Sequence, residues 1–187
     1  MKNITEKQAI ALLKKYAPNK QSFDIVLAHS RKVQELALSI AKKIPRADTG
    51  FIGIAALLHD IGRFKCPPRK NSIWHGVEGA TILRKEGLHK YALVAERHLG
   101  AGITKEDIKR QKLKLPLKDY VPKTIEEKII SYADNLIFGT RIGALQEVIK
   151  RYRKEIGDFY IPRVIEQHNE IVKLTHEKNF IHELKKS

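Results

Sequence analysis

Along most of the chain, apolar residues recur at steps of three and four, and glycines and prolines cut the pattern into segments of helical length. TEKQAIALLKKYA opens with Thr5 as an N-cap and carries Ile10, Leu12 and Leu13. SFDIVLAHSRKVQELALSIAKKI places Ile25, His29, Val33, Leu36 and Ile40 on one stripe and ends before Pro45. From Asp48 through GFIGIAALLHDIG the chain is apolar nearly all round, as a central helix is, and Gly62 is expected to loosen it afterwards.

WHGVEGATILRKEG reads as a shorter helix closed by Gly87, and KYALVAERHLG as one stopped by Gly100. The basic stretch to Val121 reads as a loop with a short helix around Lys105 to Gln111. In TIEEKIISYADNLIFG, Thr124 and Glu127 stand in the capping-box arrangement, and Ile125, Ile129, Ala133 and Ile137 form the inner face. A last long helix is predicted from Pro162 through RVIEQHNEIVKLTHEKNFIHELKK, with Leu174, Phe180, Ile181 and Leu184 covering the core. Sustained period-two alternation is absent, so the expected fold class is all-α, a helical bundle with a long C-terminal helix.

Composition adds three constraints. At 187 residues and 42% hydrophobic, the chain suits one ordinary domain with a real core. Its apolar runs fall short of the roughly 20 residues of a spanning helix, and MKNITEKQAI lacks a signal-peptide core. A cytoplasmic protein without a membrane segment is therefore expected. Cys66 is the lone cysteine, which excludes an internal disulfide and argues against a thiolate metal site. The 36 Lys and Arg against 21 Asp and Glu leave +15, which favours anionic partners. Nucleotides, other phosphate esters and nucleic acid all qualify, although no RNA-binding aromatic signature interleaves with the basic residues.

The histidines sort by surroundings. His29, His59 and His98 lie on or at the edge of apolar stripes, where a neutral imidazole needs a partner. Asp60 and Asp134 share such surroundings, and His75 follows Trp74 at a helix start. His89, His168, His176 and His182 lie in charged segments and are assigned to the surface. Imidazole with carboxylate suits divalent transition metals, and the candidates His29, His59, Asp60, His75, His98 and Asp134 exceed the needs of one small ion. They suit two ions, with Asp60 bridging.

His29, then His59 and Asp60 in ALLHDIGRF, then Asp134 in SYADNL, form an H…HD…D pattern that resembles the HD-domain metal-dependent phosphohydrolases across about residues 22–141. The histidines of WHGVEGA and ERHLGAGI are similar to those of the dinuclear subset, which includes symmetrical diadenosine tetraphosphate hydrolases and uncharacterised archaeal HD proteins. The resemblance implies a single HD domain over 1–187, with a C-terminal helical extension over about 142–187. It implies one ion on His29, His59, Asp60 and Asp134, and a second on Asp60, His75 and His98.

The resemblance also implies hydrolysis of a phosphoester or phosphoanhydride, with a nucleotide or dinucleotide as substrate. Asp60 would position the nucleophile, while Arg63, standing where many relatives have lysine, and Lys65 face phosphate. Thr104 and Lys105, beyond the glycines of LGAG, are further expected phosphate contacts. Fe, Mn, Co, Ni and Zn all suit such ligands. Two alternatives use the same set: a di-iron oxygenase on this scaffold, and a non-catalytic nucleotide- or RNA-binding module.

Overall fold

Side-chain caps decide where the first helices begin. In the computed structural model, which describes residues 3–68 and 72–176, Thr5 and Gln8 form a complete capping box at the start of α1 (Glu6–Tyr16). Asn19 Oδ1 accepts from Ser22 N and starts α2 (Lys20–Ala41) slightly earlier than the apolar stripe predicts. Asp48 caps α3 (Thr49–Leu58). Helix α3 is the expected central helix: Ile52, Ala55, Ala56, Leu57 and Leu58 are all buried, and α1, α2, α5 and α7 pack around it.

The helix ends at Leu58, with His59 at its C-cap, and Ile61–Phe64 turns into a 3-10 segment. There follow α4 (His75–Lys85), α5 (His89–Arg97), the short α6 (Lys105–Arg110) and α7 (Ile125–Leu136). A two-residue hairpin then pairs β1 (Ile137–Phe138) with β2 (Arg141–Ile142), Ile137 opposite Ile142. Gly139 supplies its left-handed turn with φ 67°. The chain closes with α8 (Leu145–Glu155) and α9 (Ile161–Thr175). The all-α expectation therefore holds among the described residues, with only this small hairpin added.

Four local expectations need correction. Ile25 is 63% exposed, because the buried stripe of α2 begins one residue later at Val26. Thr124 caps α7 as predicted, but Glu127 does not return the hydrogen bond to it: its carboxylate accepts from Lys123 N at 2.6 Å and Arg97 Nη1 at 2.9 Å. His168 is half-buried, with Nδ1 2.7 Å from the Tyr132 hydroxyl, so it is not a simple surface residue. Lastly, α9 stops at Thr175, where His176 takes a left-handed φ of 58°. Leu174 packs against the core, while Phe180, Ile181, His182 and Leu184 lie outside the described residues.

Gly62 does the opposite of loosening the chain. A Cβ there would overlap the His75 carbonyl oxygen and come within 2.6 Å of Gly79 N. Bare backbone at Gly62 thus lets the 3-10 turn lie directly on the first turns of α4, which brings Asp60 to His75. Among the described residues, no helix is long and apolar enough to cross a membrane.

Candidate metal centre

Five elements converge on one point. His29 comes from the third turn of α2, His59 and Asp60 from the end of α3, and His75 from the start of α4. His98 caps the end of α5, and Asp134 lies in the last turns of α7. The structure therefore brings together all six side chains singled out in the sequence. His29, His59 and Asp134 offer ligand atoms within 4.8 Å of one another, and so do His59, Asp60 and His98.

Asp60 divides its carboxylate between two groups. Its Oδ2 lies 3.8 Å from His29 Nε2 and 4.0 Å from His59 Nε2. Its Oδ1 lies 3.2 Å from His75 Nε2 and 3.5 Å from His98 Nε2. Asp134 Oδ1 stands 2.9 Å from His29 Nε2 and 3.5 Å from His59 Nε2, completing the first group.

Backbone carbonyls fix how the imidazoles present themselves. His59 Nδ1 donates to Ala56 O at 2.7 Å, His98 Nδ1 to Ala95 O at 2.8 Å and His29 Nδ1 to Gly139 O at 3.1 Å, while His75 Nδ1 donates to Ser72 O. With Nδ1 so engaged, each Nε2 faces inward, the arrangement in which an outer hydrogen bond orients a metal-binding histidine. His59 Nε2 is buried without a hydrogen-bond partner. His75 Nε2 and His98 Nε2 face each other at 2.9 Å, lone pair to lone pair. A buried polar atom left in this state costs about 1–3 kcal/mol, which a cation between these atoms would relieve.

The electrostatics point the same way. Burial pulls the His29 imidazolium down, but its hydrogen bond to Asp134 and the charges of Asp134 and Asp60 win and lift its pKa to about 9. Burial also opposes ionisation of Asp60, yet the charge of Arg63, then those of His59 and His75, hold its carboxyl well below the usual range. Asp134 is partly buried, and its hydrogen bond to His29 together with the nearby His59 holds it well below that range. Burial drives His98 the other way, to about 4, leaving it neutral and able to donate its lone pair. The two carboxylates thus favour a proton on His29 and form a pocket that calls for positive charge, and the donor set fits divalent transition metals.

The cluster opens into a cavity of about 550 Å³. His29, Asp60, His75, His98 and Asp134 line it, whereas His59 lies behind them, fully buried. Ile25, Val26, Ile73, Ile103 and Ile156 supply apolar wall, and Tyr152 and Tyr160 add aromatic surface. Arg63 also lines it, but its Nε is 3.2 and 3.3 Å from the two oxygens of Asp60, so it steadies that carboxylate. Lys65 lies outside the lining and pairs with Glu78 at 3.1 Å.

Thr104 and Lys105 are not brought to the cavity either. Thr104 Oγ1 accepts from Asp107 N and donates to Asp107 Oδ2, forming the cap of α6. Lys105 Nζ lies 3.9 Å from Glu106. The glycines before them serve shape: Gly100 has φ 56°, and a Cβ on it would approach the Tyr160 hydroxyl to 2.7 Å. That hydroxyl accepts from Ala101 N and donates to Gly102 O, and Arg163 pairs with buried Asp107 at 2.5 Å. The loop after His98 is thereby clamped against α9.

Sequence reading missed Arg151, Tyr152 and Tyr160, which also line the cavity. Leu145, Val148, Ile149 and Tyr152 recur at helical spacing and could have revealed α8; nothing local aims its polar residues at the cluster.

A family model described as "HD domain" matches residues 26–139. An uncharacterised protein of Methanocaldococcus jannaschii is 49% identical over 148 residues, 78% of this chain and 84% of that protein. A protein named tRNA (cytidine(56)-2'-O)-methyltransferase from Picrophilus torridus is 40% identical over 168 residues, 89% of this chain. One of the same name from Thermoplasma volcanium is 43% identical over 151 residues, 80% of this chain. The chain spans only 46% and 41% of those two proteins' lengths. The crystal structure of the L. monocytogenes phosphodiesterase PgpH HD domain superposes with a TM-score of 0.59 at 18% identity, over 95% of this chain and 97% of that one. The same domain in complex with cyclic-di-AMP gives 0.56 at 19% identity, over 95% of each. At these identities the likeness establishes the fold.

Proposed function

Because the chain belongs to the HD-domain family, we propose that it is a metal-dependent phosphohydrolase, built as one HD domain, that cleaves a phosphoester or phosphoanhydride of a nucleotide or dinucleotide. The observation that carries this reading is the divided carboxylate of Asp60, one oxygen toward His29 and His59, the other toward His75 and His98. His29, His59, Asp60 and Asp134 would hold one divalent ion, and Asp60, His75 and His98 a second. A phosphodiesterase among the structural neighbours, seen with a cyclic dinucleotide, supports the substrate class.

Bound there, divalent ions supply Lewis-acid stabilisation of phosphoryl oxygens and a water acidic enough to attack phosphorus near neutral pH. The chain's own residues do the rest. The Nδ1 hydrogen bonds keep the four imidazoles turned inward, so no reorganisation is needed when substrate arrives. Arg63 holds Asp60 ionised and fixed across both groups. Isoleucines on the cavity wall exclude bulk water from the phosphoryl group and strengthen its electrostatic contacts.

The test is turnover of bis-p-nitrophenyl phosphate and a nucleotide and dinucleotide panel by the full chain loaded with Mn²⁺, with and without chelator. Chelator-sensitive hydrolysis is the expected result. No turnover on any of them, or oxygen consumption in its place, contradicts the reading.

One set of observations favours a second role. The charge of +15 and two relatives named as tRNA methyltransferases suit a module that binds RNA. RNA affinity falling steeply with salt, with no phosphoester turnover, would put that role in place of hydrolysis.

A further inference from the structure

The cavity that holds the acidic and histidine cluster also holds a cation that the proposed mechanism does not use. Arg151 lines the same cavity and makes no ion pair among the described residues. Its Nε is buried without a hydrogen-bond partner. One Nη2 hydrogen reaches Asn135 O at 3.2 Å. The guanidinium carbon lies 4.7 Å from the Tyr152 ring centre and 4.8 Å from that of Phe138. Rings at that distance hold the group by cation–π attraction and leave its donor edge as the part still able to bind.

Arg63, the arginine that the family resemblance assigns to phosphate, has its Nε committed to Asp60. The cavity therefore carries one arginine tied to the cluster and one that lacks an anion. A planar guanidinium with an unpartnered donor, held rigid beside a cavity, suits an oxyanion that accepts two hydrogen bonds.

We propose that Arg151 is a specificity-determining residue that binds a second phosphoryl group of the substrate, apart from the one under attack at the cluster. This rests on the phosphohydrolase reading and narrows its substrate class to nucleotides carrying at least two phosphoryl groups. Ile25 and Ile156 add apolar wall to the same cavity, which suits the uncharged parts of such a molecule.

Calorimetric titration of the full chain with AMP and with the non-hydrolysable α,β-methylene analogue of ADP tests the proposal. Wild type is expected to bind the analogue roughly tenfold more tightly than AMP or better. R151Q should lose that preference while its AMP affinity changes less than about twofold. R151K, which keeps the charge without the two-donor edge, should retain a severalfold preference, and it replaces R151Q if the glutamine variant does not melt like wild type.

No preference in wild type, a preference that survives R151Q, or equal loss of both ligands would each overturn the assignment. A chain that hydrolyses phosphoesters without this preference rejects the role of Arg151 alone. One that shows the preference but hydrolyses nothing rejects the hydrolase reading alone.

Discussion

Asp60→Asn lowers phosphoester turnover by on the order of 10³-fold or more, the largest loss expected of any single substitution in the chain. Asn is nearly isosteric, so the loss is not one of packing. The amide presents one oxygen where the carboxylate presents two, and each of those oxygens faces a different pair of imidazoles. Both halves of the site are damaged at once, and neutral Asn no longer attracts Arg63. Arg63 is partly exposed and can turn to water, so the fold should survive. Steady-state kcat with matched melting curves checks this. Activity within tenfold of wild type would show that Asp60 does not join two halves of one centre.

Gly62→Ala should cost about 3 kcal/mol or more of stability, from a single added methyl group. Overpacking is relieved cheaply when the obstructing atom ends a flexible side chain. Here the obstruction is backbone, the His75 carbonyl and Gly79 N, so relief requires the 3-10 turn and α4 to move apart. For a chain of this size the melting temperature should fall by roughly 6–12 °C. Because α4 carries His75, separation should also weaken metal binding there. Gly53→Ala is the control: a Cβ there meets its nearest neighbours at an ordinary 3.8 Å, so helix propensity leaves it neutral or slightly stabilised. Thermal unfolding of the two variants beside wild type decides it, and a Gly62→Ala protein melting like wild type would contradict the close backbone contact.

Much of the fold was legible because its helices announce themselves locally. Thr5 and Thr124 cap the helices they were expected to cap, and the all-round apolar pattern that begins near Asp48 does mark the central helix. The six side chains that converge were legible for a related reason. An ionisable group on an apolar stripe is costly unless partnered, and several in one chain point to a shared site, which drew in His75 at its helix start.

What escaped depends on distance in space, which periodicity does not encode. Arg151 sits on a largely polar helix and reads as solvated, until α8 folds against the cavity and Arg151 joins its lining. Arg63 was expected to face substrate, but the geometry that follows His59 returns its Nε to Asp60 three residues earlier. Gly62 looked like a break because a glycine signals flexibility or close approach with the same letter, and only the position of α4 distinguishes them. Thr104 fits a helix cap and a phosphate contact equally by type; Asp107, three residues on, takes it for the cap.

The most direct test of the central claim, that these residues form one dinuclear centre divided at Asp60, is metal content per chain for protein purified without chelator, beside His75→Ala. Close to two ions in wild type and about one in the variant is the expected result. One ion in both would remove His75 as a ligand, and none in either would contradict the metal centre altogether.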